Sequence, residues 1–204
     1  MNSAAAGEAL LTAESLSLER GGRQLFEGLS FAVCAGQLIQ IEGANGAGKT
    51  SLLRILAGLS RYGFEGSVAR HTSLLYLGHQ PGVKQLLSPR ENLAWHAAGE
   101  GEYSDAAIEQ ALARVGLAGY EDVSSHTLSA GQHRRVNLAR LYLSSSPLWL
   151  LDEPFAAIDQ KGVADLERLM VAHVSEGGAV IVTSHQSLQV SYTLSRLSLS
   201  AGLL

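Results

Sequence analysis

Gly43-Ala44-Asn45-Gly46-Ala47-Gly48-Lys49-Thr50 fits the pattern G-x-x-x-x-G-K-[ST], and no other feature constrains the fold as much. The pattern works in one setting only. Its glycines let the backbone turn N–H groups inward onto an anion, and a helix starting there adds its positive end. A strand must therefore end just before Gly43, and a helix must begin near Lys49. Leu38–Ile41 supplies the strand, and Ser51–Leu59 has helical apolar spacing with Gly58 near its end. In this setting Lys49 reaches the β- and γ-phosphates of a nucleotide, and the Thr50 hydroxyl holds Mg2+. Gly43 through Thr50, with Ser51, are the candidate phosphate-binding residues.

A second strand ends in chemistry. Leu148-Trp149-Leu150-Leu151 is an apolar run followed by Asp152-Glu153. Beside a phosphate loop, Asp152 is placed to orient Mg2+ or its water, and Glu153 to polarise an attacking water. A third segment, Leu128-Ser129-Ala130-Gly131-Gln132, is a helix N-terminus with a capping box. A helix start bearing Ser129 and two small residues is also an anion site. One phosphate loop and a separate phosphate-binding helix end in the same chain suggest two subunits sharing each nucleotide.

The remaining elements fit around these motifs. Leu16–Leu18 and Leu25–Phe31 alternate as strands, with turns at Gly21-Gly22 and Ala35-Gly36, so the chain opens with an antiparallel unit. Residues 1–10 read as a loose terminus. Leu74–Leu77 is a buried strand. Residues 81–145 are dominated by helical signals. They include a capping box at Ser88-Pro89-Arg90-Glu91, an apolar face at Ala107, Ile108, Ala111, Leu112 and Val115 with Gly116 as its stop, and a helix from Ser129 to about Ser144. Then Val163–Val174 is a helix, Ala179–Thr183 a strand and Leu197–Leu199 a weak last strand. The expected domain is a single unit over residues 11–200. Its α/β core is residues 11–80 and 146–200, with a helical subdomain at about 81–145.

Composition removes other classes. The net charge of −4 offers no general attraction for nucleic acid. The single cysteine, Cys34, excludes an intrachain disulfide and a cysteine-based zinc site. Apolar runs fall far short of the ~18 residues a membrane span needs. The start of the chain lacks the positive region of a signal peptide.

The order of these motifs resembles the ATP-binding-cassette (ABC) ATPases over about residues 11–200. The phosphate loop comes first, then Gln80 after a strand, then the Leu-Ser-Ala-Gly-Gln signature. About 20 residues later come the apolar strand with Asp152-Glu153, then Ala156-Ala157-Ile158-Asp159, then His185. The resemblance implies a P-loop NTPase core with an antiparallel β flank and a helical signature subdomain. It implies ATP and Mg2+ as cofactors, and hydrolysis to ADP and phosphate. It makes Gln80 a sensor of Mg2+ and of a membrane partner, Asp159 a residue of the dimer seam, and His185 the contact to the γ-phosphate. Ser129 and Gly131 would close on ATP held by a second copy. Arg20 stands where the family carries an aromatic residue, and a guanidinium can stack on adenine instead. Arg134, Arg135 and Arg140 read as a partly solvated, salt-bridging face.

Gly78–Lys84, Leu128–Asn137 and Trp149–Ile158 resemble the ATP-binding subunits of cytochrome c maturation systems. That resemblance implies a peripheral ATPase on the cytoplasmic side of a bacterial inner membrane, with membrane-embedded partners that handle haem. The histidines are scattered and no Cys-x-x-Cys-His is present, so no haem site is expected in this chain. The alternative is a soluble ABC ATPase of iron–sulfur assembly or nucleic-acid metabolism. It would carry a second cassette, a coiled-coil insertion or a basic face, and none is seen. A non-hydrolysing regulator would have lost Lys49, Asp152 or Glu153. Leu86, Leu87, Leu93 and Trp95 are expected to border, with Gln80–Lys84, a groove for a helix of the membrane partner.

Overall fold

Strands β1 (Ala9–Arg20) and β2 (Arg23–Cys34) form a long antiparallel hairpin closed at Gly21-Gly22. These are the first elements of a computed structural model that describes residues 8–96 and 102–199. Ala9 and Leu10, expected in a loose terminus, belong to β1, because Ala9 pairs with Cys34 and Leu10 packs on the core. The other edge of β1 carries β4 (Glu65–Arg70), giving the sheet order β2-β1-β4. The sequence reading omits β4. Its residues, Glu-Gly-Ser-Val-Ala-Arg, are mostly exposed and bury no alternating face, so backbone pairing rather than a side-chain pattern defines it.

The second sheet has the order β5-β6-β7-β3-β8. Its strands are β3 (Leu38–Glu42), β5 (Leu74–Leu77), β6 (Leu148–Asp152), β7 (Ala179–Thr183) and β8 (Leu194–Ser198). The β3–β7, β3–β8 and β6–β7 pairs are parallel. Parallel strands covered on both faces need unbroken apolar runs. β6 and β7 are buried at every residue, and Leu38–Ile41 of β3 are buried as well. The last strand begins at Leu194, earlier than Leu197, because an edge strand reading Leu-Ser-Arg-Leu-Ser gives little apolar signal. Register puts Ile41 beside Thr183 and Thr183 beside Asp152, so three strands release their carboxyl ends together. Ligands of open α/β sheets bind at such ends.

Helix α1 (Lys49–Leu56) buries Leu52, Leu53, Ile55 and Leu56 in a core shared with Leu11, Leu16, Ile41, Leu150 and Ile181. A separate core holds Leu93, Ile108, Leu112, Leu117, Val136 and Ala139. It is built by α2 (Pro89–His96), α3 (Asp105–Arg114) and α4 (Ala130–Ala139). The helix expected to run to Ser144 ends as α-helix at Ala139 and tightens into a 3-10 turn at Arg140–Tyr142. The last helix is α5 (Gln160–Ser175).

The described residues divide into two compact units. One comprises those within Met1–Tyr76, Ser146–Glu153 and Leu166–Leu204. The other comprises those within Leu77–Ser145 and Pro154–Asp165. Among the described residues no helix is long and apolar enough to cross a membrane.

Candidate active site

The phosphate loop leaves β3 at Gly43 and closes on itself through an Ala47 N–H bond to the Ala44 carbonyl. Helix α1 is capped by Gly48, which has φ 98° and offers no side chain to the first helical N–H groups. They stay available to an anion, which a Ser or Asp cap would have competed with. A Cβ on Gly48 would lie 3.2–3.3 Å from Leu25 and Phe26 of β2, so the loop can pack there only as glycine. Lys49 is 8% exposed, and its Nζ donates to the carbonyls of Gly43 at 2.7 Å and Ala44 at 3.3 Å. The ammonium thus lies over its own loop. Gly46 has open space where a Cβ would be. A loop of inward N–H groups with a lysine across it fits a phosphate chain.

Side chains from the start of α1 and from the ends of β6 and β7 meet beside that loop. The Thr50 hydroxyl donates to Asp152 Oδ1 at 3.1 Å, and the Thr183 hydroxyl donates to the same oxygen at 2.9 Å. Asp152 is 1% exposed. A hydroxyl and a carboxylate oxygen this close are the hard-oxygen pair that Mg2+ takes alongside nucleotide phosphates. Glu153 follows with φ 49°, in the left-handed region, and its N–H donates to Thr183 Oγ1 at 2.9 Å. That turn carries Glu153 past the strand end, where its Oε1 is 3.4 Å from His185 Nε2. The sequence reading overlooked Thr183. A threonine closing an apolar strand looks ordinary until the register with β6 is known.

Of the other anticipated residues, Gln80, Ser129, Gly131 and Asp159 lie in the second unit and Arg20 in the first. Ser129 caps α4 through a capping box with Gln132. A Cβ on Gly131 would lie 3.1 Å from the Ala157 carbonyl, so this approach calls for glycine. Arg135 reaches Asp159 at 3.3 Å, and Asp159 Oδ1 accepts the Gly162 N–H at 2.8 Å at the start of α5. The helix bearing Ser129 is therefore tied to the Ala156–Asp159 loop. Arg134 is not on a solvated face. It is 3% exposed, and its Nη1 donates to the carbonyls of Gly78 at 3.0 Å and His79 at 3.1 Å. Gln80 follows directly and is exposed. Arg20 is exposed at the hairpin end of β1, paired in register with Arg23.

The expected apolar stripe is narrower than its sequence. Leu93 is 1% exposed, because α2 turns it into the helical core, while Leu86 and Trp95 are 92% and 60% exposed. Lys84 Nζ lies 3.4 Å from the centre of the Trp95 ring. Asn92 clamps the loop before α2, accepting the Lys84 N–H at 2.8 Å and donating to the Lys84 and Ser88 carbonyls at 3.0 Å.

Residues 26–156 match the ABC transporter family model. A cytochrome c biogenesis ATP-binding export protein CcmA from Yersinia pestis bv. Antiqua (strain Nepal516) is 50% identical, with 94% of this chain and 93% of that one covered. The CcmA 2 protein of Salmonella paratyphi A (strain ATCC 9150 / SARB42) is 51% identical over 95% of this chain and 98% of its own. Among solved structures, an ATP-binding subunit of an ABC transporter aligns with a TM-score of 0.76 at 22% identity, covering 86% of this chain and 79% of that one. A dimeric ATP-binding cassette in a post-hydrolysis state with ADP and Pi aligns with a TM-score of 0.77 at 20% identity, covering 86% and 88%. The chain belongs to the ABC transporter ATP-binding proteins, a family that hydrolyses ATP, and within it to the CcmA proteins of cytochrome c biogenesis.

Proposed function

We propose that this chain is the ATP-hydrolysing subunit of a transporter complex that serves haem export and c-type cytochrome assembly. The observation that carries the proposal is the convergence of Thr50, Asp152, Glu153 and His185 on the phosphate loop. The names of relatives about half identical to the chain support the biological setting. Lys49 and the backbone of Gly43–Ser51 bind the phosphates. Thr50 and Asp152 would hold Mg2+, with Gln80 as a further contact. When bound, that ion neutralises charge on the β- and γ-oxygens. Glu153 takes the proton of the attacking water, and His185 steadies both Glu153 and the γ-phosphate. Arg20 stacks on adenine.

In this proposal two copies pair head to tail. Ser129, Gly131 and Asp159 of one copy complete the site of the other. Leu86 and Trp95, with Gln80–Lys84, receive a helix of a membrane-embedded subunit, which holds the chain at the cytoplasmic face of the inner membrane. The fixed loop around Asn92 supports a docking surface here, since a rigid patch loses little entropy on binding.

The test is complementation of a strain lacking the gene. Wild type should restore covalent haem on c-type cytochromes, and Lys49→Ala should not. Crosslinkers at Val83, Gln85 and Leu87 should capture a membrane subunit. Normal haem attachment with Lys49→Ala, or no crosslink at any of the three sites in a complex that turns over ATP, would contradict the proposal.

A further inference from the structure

Strand β3 reads Leu38-Ile39-Gln40-Ile41-Glu42, and Gln40 interrupts its buried apolar stretch. It sits midway along β3, between Val182 of β7 and Arg196 of the edge strand β8, and is 2% exposed. Its Nε2 donates to the Gln186 carbonyl at 3.0 Å. Its Oε1 is buried with no hydrogen-bond partner among the described residues. Burying an amide with one acceptor unmet costs stability, and an aliphatic side chain there would cost none. The core alone gives no reason for a glutamine.

The Gln186 carbonyl gives one. Gln186 follows His185 directly, and its N–H donates back to Ser184 Oγ at 3.0 Å. His185 therefore rides on a short turn held on one side by Ser184 at the end of β7 and on the other by Gln40. β3 ends at Glu42, two residues beyond Gln40, and the phosphate loop begins at Gly43. One buried amide thus ties the strand that carries the phosphate loop to the turn that carries His185.

We infer that Gln40 is a positioning residue for ATP hydrolysis: its bond to the Gln186 carbonyl holds the His185 imidazole in place beside Glu153. This inference rests on the proposed roles of His185 and Glu153. The relevant contact is the 3.4 Å between His185 Nε2 and Glu153 Oε1, which a freed turn would lose.

The experiment is a double-mutant cycle on the full-length chain purified in its membrane complex. Gln40→Leu suits the apolar surroundings, and the exposed Gln186 can take water on its carbonyl, so thermal stability should hold or rise. The variant should lose about tenfold in kcat while KM for ATP stays within about twofold, as a misplaced group does without loss of binding. Gln40→Asn, which keeps the amide but shortens its reach, should lose kcat in the same way, and it serves should the leucine variant misfold. In a His185→Ala background neither change should lower kcat further. Unchanged kcat in the Gln40 variants while His185→Ala is slow would overturn the inference and leave the site reading standing. Losses that add to that of His185→Ala would also overturn it, since Gln40 would then act by another route. Full turnover by His185→Ala would overturn the site reading and this inference with it.

Discussion

The Thr183 hydroxyl donates to Asp152 Oδ1 at 2.9 Å and accepts the Glu153 N–H at the same distance, so one side chain of β7 sets both acids at the end of β6. Glu153 sits at φ 49°, a region non-glycine residues occupy only when their surroundings impose it. Thr183→Val keeps the shape and removes the imposition. Thr183 is fully buried, so the loss should cost about 1–3 kcal/mol of stability through unmet polar groups. Urea unfolding measures that, and ATP turnover should fall alongside it. A valine variant with wild-type stability and rate would mean Thr183 does not hold Glu153.

Gly178 meets a different constraint. The His173 ring stacks on Trp149 with centroids 3.7 Å apart and planes 7° from parallel, and its Nε2 donates to the Pro147 carbonyl at 3.0 Å. A Cβ on Gly178 would run into that ring. Gly178→Ala should expel the imidazole and lose both contacts, together about 1–3 kcal/mol. An unchanged urea midpoint would show that the stack contributes nothing.

Acid should destabilise the fold through two histidines. Burial, with the positive charges of Arg140 and Lys84, lowers the His96 pKa from 6.5 to about 4, and burial also lowers that of His173. Between pH 6.5 and about 4 the unfolded chain takes up a proton at His96 that the folded chain refuses. Stability from this group is complete above that window and drains away as pH falls through it. His96→Gln should flatten the decline in urea midpoint between about pH 7 and about pH 5. An identical decline in the variant would contradict the assignment.

Arg134 is the buried support for the segment before Gln80. Lysine has one ammonium where arginine has a planar fork, so Arg134→Lys cannot serve the Gly78 and His79 carbonyls in the same way. Hydrogen exchange at Gln80, Gly82 and Val83 should accelerate in that variant, with slow exchange in β6 preserved. Unchanged exchange there would mean the two bonds do not restrain the loop.

These residues mark where the sequence was readable. The phosphate loop, the Ser129 capping box and strands β6 and β7 could be read directly, because each depends on neighbours close in sequence or on an unbroken apolar run. The full length of β1 was hidden because the register shifts between Ala13 and Leu18 and Ser15 takes φ 50°, which breaks the two-residue alternation. Strand β4 was hidden because it is an exposed edge. Thr183, Arg134 and Gln40 each act on a partner far away in sequence, 31, 56 and 146 residues off. No local pattern encodes such a pairing. Leu86 and Leu93 have the same chemistry, and only the packing of α2 decides which is buried.

The central claim is that Glu153 activates the water that attacks ATP. The most direct measurement is ATP turnover by Glu153→Gln in the purified membrane complex, with nucleotide binding followed in parallel. The amide keeps the shape and the hydrogen-bonding reach but cannot take a proton. Turnover should fall by about 10²–10⁴-fold while ATP remains bound, and the variant should accumulate as an ATP-bound dimer. Turnover at the wild-type rate, with ATP bound as before, would contradict the account.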